Sequence, residues 1–405
     1  MKVRNTVIAL SLLFTGLAPV AAWAEDGHGL PQGATFSTLI KTPLNIEGLT
    51  GDNSGNLYVP GRQLTAGAAC PVWRVNIDKP VLVVVGFVPA PSPTGLCAPL
   101  GLAFDQAGML YVTETDKIYR FLPNAGNPPT ATLFASGVLG TNGLAFDRDG
   151  NLWTGDGTTG VGRVWRIAPN GVVTEAFRIQ PMANEVNLVG GVGGVGRDVR
   201  DLPPGTITVT PTTRNAANTA GSQPLVSNGL AFDDNGDLFV ADTARGAIWR
   251  VTLDRDGNVQ SKTGCDTTFT ANTLCLENIF VAHPLLEGAD GIALDRSGKI
   301  WVDANERNAV IVVTQNGKDV IEVFRNAPDA TTKLRNTGPL EFNTSPFLSD
   351  HKFCTTSSDA NRRDNSPNTA GEIDNTAPPA GGPNRGKISC MNQSLSVPGV
   401  ELPVR

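Results

Sequence analysis

Gly101-Leu-Ala-Phe-Asp105 recurs letter for letter as Gly143-Leu-Ala-Phe-Asp147 and Gly229-Leu-Ala-Phe-Asp233, and returns altered as Gly291-Ile-Ala-Leu-Asp295. After each copy come a Gly-containing turn and a second apolar run: Met109-Leu-Tyr-Val-Thr113, Asn151-Leu-Trp-Thr154, Asp237-Leu-Phe-Val-Ala241 and Lys299-Ile-Trp-Val302. The runs are short and rich in β-branched and aromatic residues. The clusters between them, such as Asp147-Arg-Asp-Gly150 and Asp233-Asp-Asn-Gly236, favour the positive φ of tight hairpin turns. A third run follows each hairpin (Lys117–Phe121, Arg163–Ile167, Ala247–Val251), and a fourth is visible at Ala131–Ala135 and Ile279–Ala282. Four antiparallel strands per unit, at a period of roughly 40 to 60 residues, are the signature of propeller blades.

A divergent earlier copy, Glu47-Gly-Leu-Thr50, then Gly55-Asn-Leu-Tyr-Val59, then Val72-Trp-Arg-Val75, keeps the turn and strand logic and makes a fifth blade. A sixth is assembled from Pro339-Leu-Glu-Phe342, Lys352-Phe-Cys-Thr355 and Lys387-Ile-Ser-Cys390. It lacks a fourth strand. Ala34-Thr-Phe-Ser-Thr-Leu-Ile40 can supply one from the other end of the chain, closing the ring and pairing edges that an open array leaves exposed. The expected fold is therefore all-β: a six-bladed β-propeller of four-stranded antiparallel blades, closed by an N-terminal strand.

The 405-residue chain opens with Lys2 and Arg4, an apolar run from Val7 to Val20, and Ala22-Trp23-Ala24. That order matches a secretory signal peptide over residues 1–24, and the run is shorter than the ~20 residues a spanning helix needs. Residues 25–405 are expected to form a single propeller domain, with inserted loops between blades near 172–226 and 357–386. The first holds Gly190-Gly-Val-Gly-Gly-Val-Gly196, which has no strand-to-helix context and reads as a loop and not a phosphate cradle. Export, to a periplasm or beyond the cell, allows disulfides. The six cysteines pair by blade as Cys70 with Cys97, Cys265 with Cys275 and Cys354 with Cys390, the most local of the connectivities open to them. The formal charge of −6 grows more negative once Lys2 and Arg4 are removed, and no basic run exists beyond Arg362-Arg363. These properties argue against a nucleic-acid partner.

In a propeller the first strand of every blade lines the central channel, so equivalent repeat positions form a ring. The residue before the repeat glycine reads Glu47, Leu100, Asn142, Asn228, Asp290 and, in the sixth blade, Thr337. Asn-Gly and Asp-Gly pairs commonly make turns, and one reading of these positions is turn chemistry alone. The other is a hard-oxygen site: two carboxylates and two carboxamides suit Ca²⁺ or another divalent cation, which takes 6–8 oxygens. No thiolate or imidazole stands at these positions, which disfavours zinc or copper. Of the three histidines, His28, His283 and His351, none has a partner at metal-ligand spacing. Gly-x-Ser-x-Gly is absent. Arg120, Arg166 and Arg250 recur after aromatic residues in the third strands, where blade packing accounts for them.

On these residues the chain resembles the calcium-dependent six-bladed propellers of the senescence-marker-protein, gluconolactonase and luciferin-regenerating-enzyme family. The resemblance implies that Glu47, Asn142, Asn228 and Asp290 hold the metal, that Asp290 is also the general base, and that Ca²⁺ is the cofactor. Arg62, near the channel end of the first hairpin, is the candidate for the family's substrate-binding arginine. It further implies an exported hydrolase of lactones or related esters, with a small-molecule substrate. Single copies of the repeat also resemble NHL-type propellers, and the competing expectation is a non-catalytic propeller that recognises a protein or cell-envelope ligand.

Overall fold

Short β-branched and aromatic runs punctuated by Gly and Asp form strands wherever the sequence repeats. The structure, a computed structural model, describes residues 28–52, 54–159, 161–180, 227–243, 245–267, 269–286, 288–326, 338–358 and 386–402. They form six four-stranded antiparallel sheets in the strand order of propeller blades. The innermost strands are Thr50–Gly51, Pro99–Phe104, Thr141–Phe146, Ser227–Phe232, Ala289–Leu294 and Asn343–Ser349. The expected signal peptide and Gly190 to Gly196 lie outside the described residues.

The last letter of the repeat closes the first hairpin. Asp147 accepts the backbone N–H groups of Asp149 (3.0 Å) and Asn151 (2.8 Å) on Oδ1, and the Trp153 indole N–H (2.8 Å) on Oδ2. Asp295 and Trp301 repeat the pairing at 3.1 Å, and Tyr58 donates its hydroxyl to Asp52 at 3.0 Å. Gly150 and Gly236, at φ 79° and 88°, provide the left-handed residue these turns need. In the fourth blade the aromatic is Phe239, which has no donor, and Arg250 pairs instead with Asp237.

Each blade is sandwiched between two others, so its middle strands are apolar on both faces. Leu238, Val240, Trp249 and Val251 of blade 4 are fully buried and pack with Trp153, Val164 and Phe177 of blade 3. Phe36, Trp301 and Phe353 do the same work at the closing seam. That seam is made as expected: Phe36–Lys41 pairs antiparallel with Lys387–Met391 as the fourth strand of blade 6. The three disulfides Cys70–Cys97, Cys265–Cys275 and Cys354–Cys390 form within single blades or their loops, which fits an oxidising compartment. No helix among the described residues is long and apolar enough to cross a membrane.

Blade 6 departs from the expected register. Pro339 to Phe342 is not a strand; the inner strand starts at Asn343, because Ser345-Pro-Phe347 takes the place of the Gly-Leu-Ala motif. Thr337 lies outside the described residues, and Thr344 occupies the axial register. The insertions shift too. Val173–Arg178, inside the first expected insert, is the outer strand of blade 3. The second insert lies within blade 6, between Lys352–Ser357 and Lys387–Met391.

Candidate functional site

The repeat glycine is needed for contact between blades and not for a turn. None of Gly48, Gly101, Gly143, Gly229 and Gly291 has positive φ. A Cβ on Gly48 would stand 2.0 Å from the Leu100 carbonyl oxygen, on Gly101 2.1 Å from that of Asn142, and on Gly229 2.6 Å from that of Asp290. Gly143 faces Asn228 (3.2 Å) and Gly291 faces Thr344 (2.4 Å) in the same way. Thr344 completes the circuit by donating its hydroxyl to the Glu47 carbonyl at 2.9 Å. Glu47, Leu100, Asn142, Asn228, Asp290 and Thr344 therefore follow one another around the axis. The turn reading fails for Asn142, Asn228 and Asp290, which stand within inner strands.

At this level the inner strands of blades 2 to 6 carry one extra residue. Thr141 pairs with Asp156 and Leu144 with Thr154, so Asn142 and Gly143 together face Gly155. The register slips identically between Ser227 and Leu230 and between Ala289 and Ile292. Such a bulge twists the strand locally and re-aims the side chain it carries. Asn142, Asn228 and Asp290 are thus set apart from the pleat of the residues that follow, and Glu47 precedes the inner strand of its blade. The exposures of Glu47, Asn142, Asn228 and Asp290 are 8%, 9%, 4% and 4%, so they line a narrow passage.

A second ring holds the first. The Asn228 amide donates to Thr243 Oγ1 (3.1 Å) and the Asn305 amide to Asp290 Oδ2 (2.7 Å), each partner standing 15 residues after its axial residue. The same spacing puts Gly157 against Asn142, where a Cβ would lie 2.3 Å from the amide nitrogen. In blade 1 it puts Arg62 against Glu47, with guanidinium Nη2 on carboxylate Oε2. The backbone forces this last pairing, since Ile46 bridges to Gly61 and the Arg62 N–H donates to the Asn45 carbonyl at 2.8 Å. Arg62 is the candidate the sequence already offered; Gly157, Thr243 and Asn305 share no letter with it, and only the repeat arithmetic, carried to the end of the second strand, would have found them. Thr243 also donates to the Ala289 carbonyl (2.7 Å), tying blade 4 to blade 5.

The Arg62–Glu47 contact is an ion pair without hydrogen-bond alignment. Glu47 Oε2 and Arg62 Nε are both buried and have no hydrogen-bond partner, and an unsatisfied buried polar group costs about 1–3 kcal/mol. Among the described residues no three His, Cys, Asp or Glu side chains converge as a metal-binding group. The axial set has two carboxylates, and its other two donors are carboxamides. All four offer oxygen, and the orphaned Glu47 oxygen is one a hard cation would satisfy. Arg62, beside Glu47, opposes such an ion.

Below this ring the channel turns apolar. Leu102, Leu144, Leu230, Ile292 and Phe347 line a cavity of about 100 Å³ that Val400 and Leu402 border from the C-terminal tail. The tail is pinned there by Val400 N–H to the Leu294 carbonyl, 3.0 Å. Beside the channel, Asp303 is fully buried between blades 5 and 6. Burial pushes its carboxyl up to about 7, despite hydrogen bonds from Thr355 and Asn343. His283 is half-buried. Its Nδ1 accepts the Leu285 N–H at 3.2 Å, and burial together with Arg307 lowers its pKa below the usual range. His351 binds the Leu395 carbonyl at 2.7 Å, so both histidines hold loops. Arg120 and Arg250 lie over Phe134 and Phe239, as blade packing predicts.

Comparison with known proteins agrees with this fold. Residues 192–334 match the family model described as SMP-30/Gluconolactonase/LRE-like region; Asn228 and Asp290 fall inside the match, Glu47 and Asn142 outside it. A luciferin-regenerating enzyme superposes with a TM-score of 0.52 at 13% identity, covering 91% of this chain and 97% of its own. Regucalcin from Agrobacterium tumefaciens str. C58, described as a calcium-binding protein, gives 0.52 at 18% identity, covering 91% and 98%. No curated protein sequence matches the chain. At these identities the superpositions show shared architecture alone, and residues 192–334 of this six-bladed propeller are similar to the SMP-30/Gluconolactonase/LRE-like region.

Proposed function

We propose that the chain is an exported hydrolase of lactones or related esters that works with a divalent cation, Ca²⁺ by the nature of its donors. The observation that carries this reading is the axial ring: Glu47, Asn142, Asn228 and Asp290 stand at one register, the last three on bulges, and the side chains of the last two are fixed by hydrogen bonds from or to a second ring. Those four residues would hold the ion. When bound, it polarises the substrate carbonyl and makes water a better nucleophile.

The chain's own groups do the rest. Thr243 engages the Asn228 amide nitrogen, which leaves the carboxamide oxygen for the channel. Asn305 holds Asp290 by one carboxylate oxygen. Asp290 takes the proton that water loses as its oxygen bonds to the carbonyl carbon. The ester C–O bond then breaks, the departing alkoxide gains a proton, and a lactone yields a hydroxy acid. The apolar section below the ring keeps bulk water from the other side.

The competing reading, a binding propeller, is favoured by the Arg62–Glu47 pair, which already neutralises one axial carboxylate. Hydrolysis of a panel of lactones and simple esters, measured in chelator and after adding back Ca²⁺, separates the two. The hydrolase reading predicts turnover that vanishes with chelator and returns with the ion. Ca²⁺ binding without turnover of any panel member would leave the binding propeller.

A further inference from the structure

Four blades carry a polar axial residue with a partner 15 residues on, and in three of them the partner is neutral: Gly157, Thr243 and Asn305. Blade 1 alone places a cation there. Arg62 and Glu47 have side-chain exposures of 22% and 10%, so the pair is largely withdrawn from water. It is also poorly made: Glu47 Oε2 and Arg62 Nε remain without hydrogen-bond partners. Withdrawal from solvent without full hydrogen bonding is the costly state for a charged pair. Each group would gain from a better-shaped partner, Glu47 from a hard cation and Arg62 from a planar oxyanion that accepts two parallel N–H bonds.

We propose that Arg62 is the resident counter-ion of the axial carboxylate, exchanged for a divalent cation on binding, and that the displaced guanidinium becomes a binding site for a carboxylate-bearing ligand. This rests on the divalent-cation reading above. The guanidinium and a divalent cation compete for the same Glu47 oxygen, so binding of one displaces the other. Because Arg62 serves either Glu47 or the anion, the two ligands are coupled. Each strengthens the other by the same factor, as linkage requires. The hydroxy-acid product of a lactone is a ligand of this chemical class.

The test is calorimetric titration of Ca²⁺ into chelator-treated protein at constant ionic strength, with sodium acetate replacing part of the chloride in a parallel series. Wild type, Arg62→Gln and Arg62→Lys are compared, with thermal unfolding as the check that each is folded. Arg62→Gln is expected to bind Ca²⁺ about tenfold more tightly than wild type, as removal of a like charge beside the ion predicts, and to ignore acetate. Wild type is expected to bind more tightly when acetate is present. Arg62→Lys keeps the charge without the planar fork and is expected to bind as weakly as wild type with little response to acetate. Equal or weaker Ca²⁺ binding by Arg62→Gln overturns the counter-ion role while leaving the metal reading intact. Tighter binding by Arg62→Gln with no acetate effect on wild type overturns the anion site alone. Absence of Ca²⁺ binding in all three proteins removes the metal reading and this proposal together.

Discussion

Blades 1 and 5 carry a carboxylate at the same place in the ring, yet hold it differently. Asp290 is gripped by a neutral amide from Asn305 at 2.7 Å, whereas Glu47 meets the guanidinium of Arg62. A neutral donor orients a carboxylate and leaves its charge for something else. A fixed cation orients it and spends that charge. The same register thus gives one carboxylate a neutral partner and the other a cation. Asp303 is a third case. It also has an amide partner, Asn343 at 2.8 Å, but it is sealed between blades, where no cation can reach it, and its carboxyl moves up to about 7.

The largest expected effect follows from this contrast. Asp290→Ala should lower lactone turnover by about 1,000-fold, the scale for loss of a general base that also binds the ion. Glu47→Gln, already partly neutralised, should fall by much less under saturating Ca²⁺. Steady-state rates of both variants measure the gap, and equal losses would mean that the two carboxylates are not distinguished by their partners.

Asp303 sharpens the comparison through pH. Its folded pKa of about 7 stands above the ~3.9 of an unfolded aspartate, so its contribution to stability is present below pH ~4 and lost as pH rises through 7. Asp303→Asn should flatten thermal stability across that window and be the more stable protein at pH 8 by roughly 2–4 kcal/mol. Asn343 can follow the change, because its Oδ1 has no partner and can accept the new amide. Unfolding curves from pH 4 to pH 8, in steps, provide the measurement, and an unchanged slope would contradict the buried-carboxyl assignment.

The smallest effect tests the grip itself. Asn305→Ala should weaken Ca²⁺ binding by about tenfold, the low end for removal of a group that orients a metal ligand. The direction is opposite to that expected for Arg62→Gln. Calorimetric titration of the two variants side by side compares them, and a shift of the same sign would show that the second ring acts only through packing.

Much of the fold was legible because repetition is written in letters. Gly-Leu-Ala-Phe-Asp marked the blades and their register, and counting to the residue ahead of the glycine reached Glu47, Asn142, Asn228 and Asp290, which the structure places around one axis. The cysteines paired locally, and the N-terminal strand took its place in blade 6. Three things were hidden for physical reasons. The glycines read as turn formers, but their cause lies in the backbone of the neighbouring blade, contacts such as Gly229 to Asp290 that no local pattern reports. Blade 6 was misregistered because Ser345 and Pro346 replace Gly and Leu, and the shorter turn at Asp350 shifts the count. Beyond Arg62, the second ring had no shared residue type, since Gly157, Thr243 and Asn305 each meet a different need of the residue opposite.

The closing strand has a consequence for how the molecule is made. Phe36 pairs with Met391, so the first of the described strands waits for the last of them. Until then its partner edge does not exist, and the blades already formed stand as an open arc with an unpaired strand at one end. Contacts of such long sequence separation form slowly, and open edges invite pairing with other chains. Folding therefore passes through a ring-open stage in which the chain is most exposed to aggregation, and pairing of Phe36–Lys41 with Lys387–Met391 ends it.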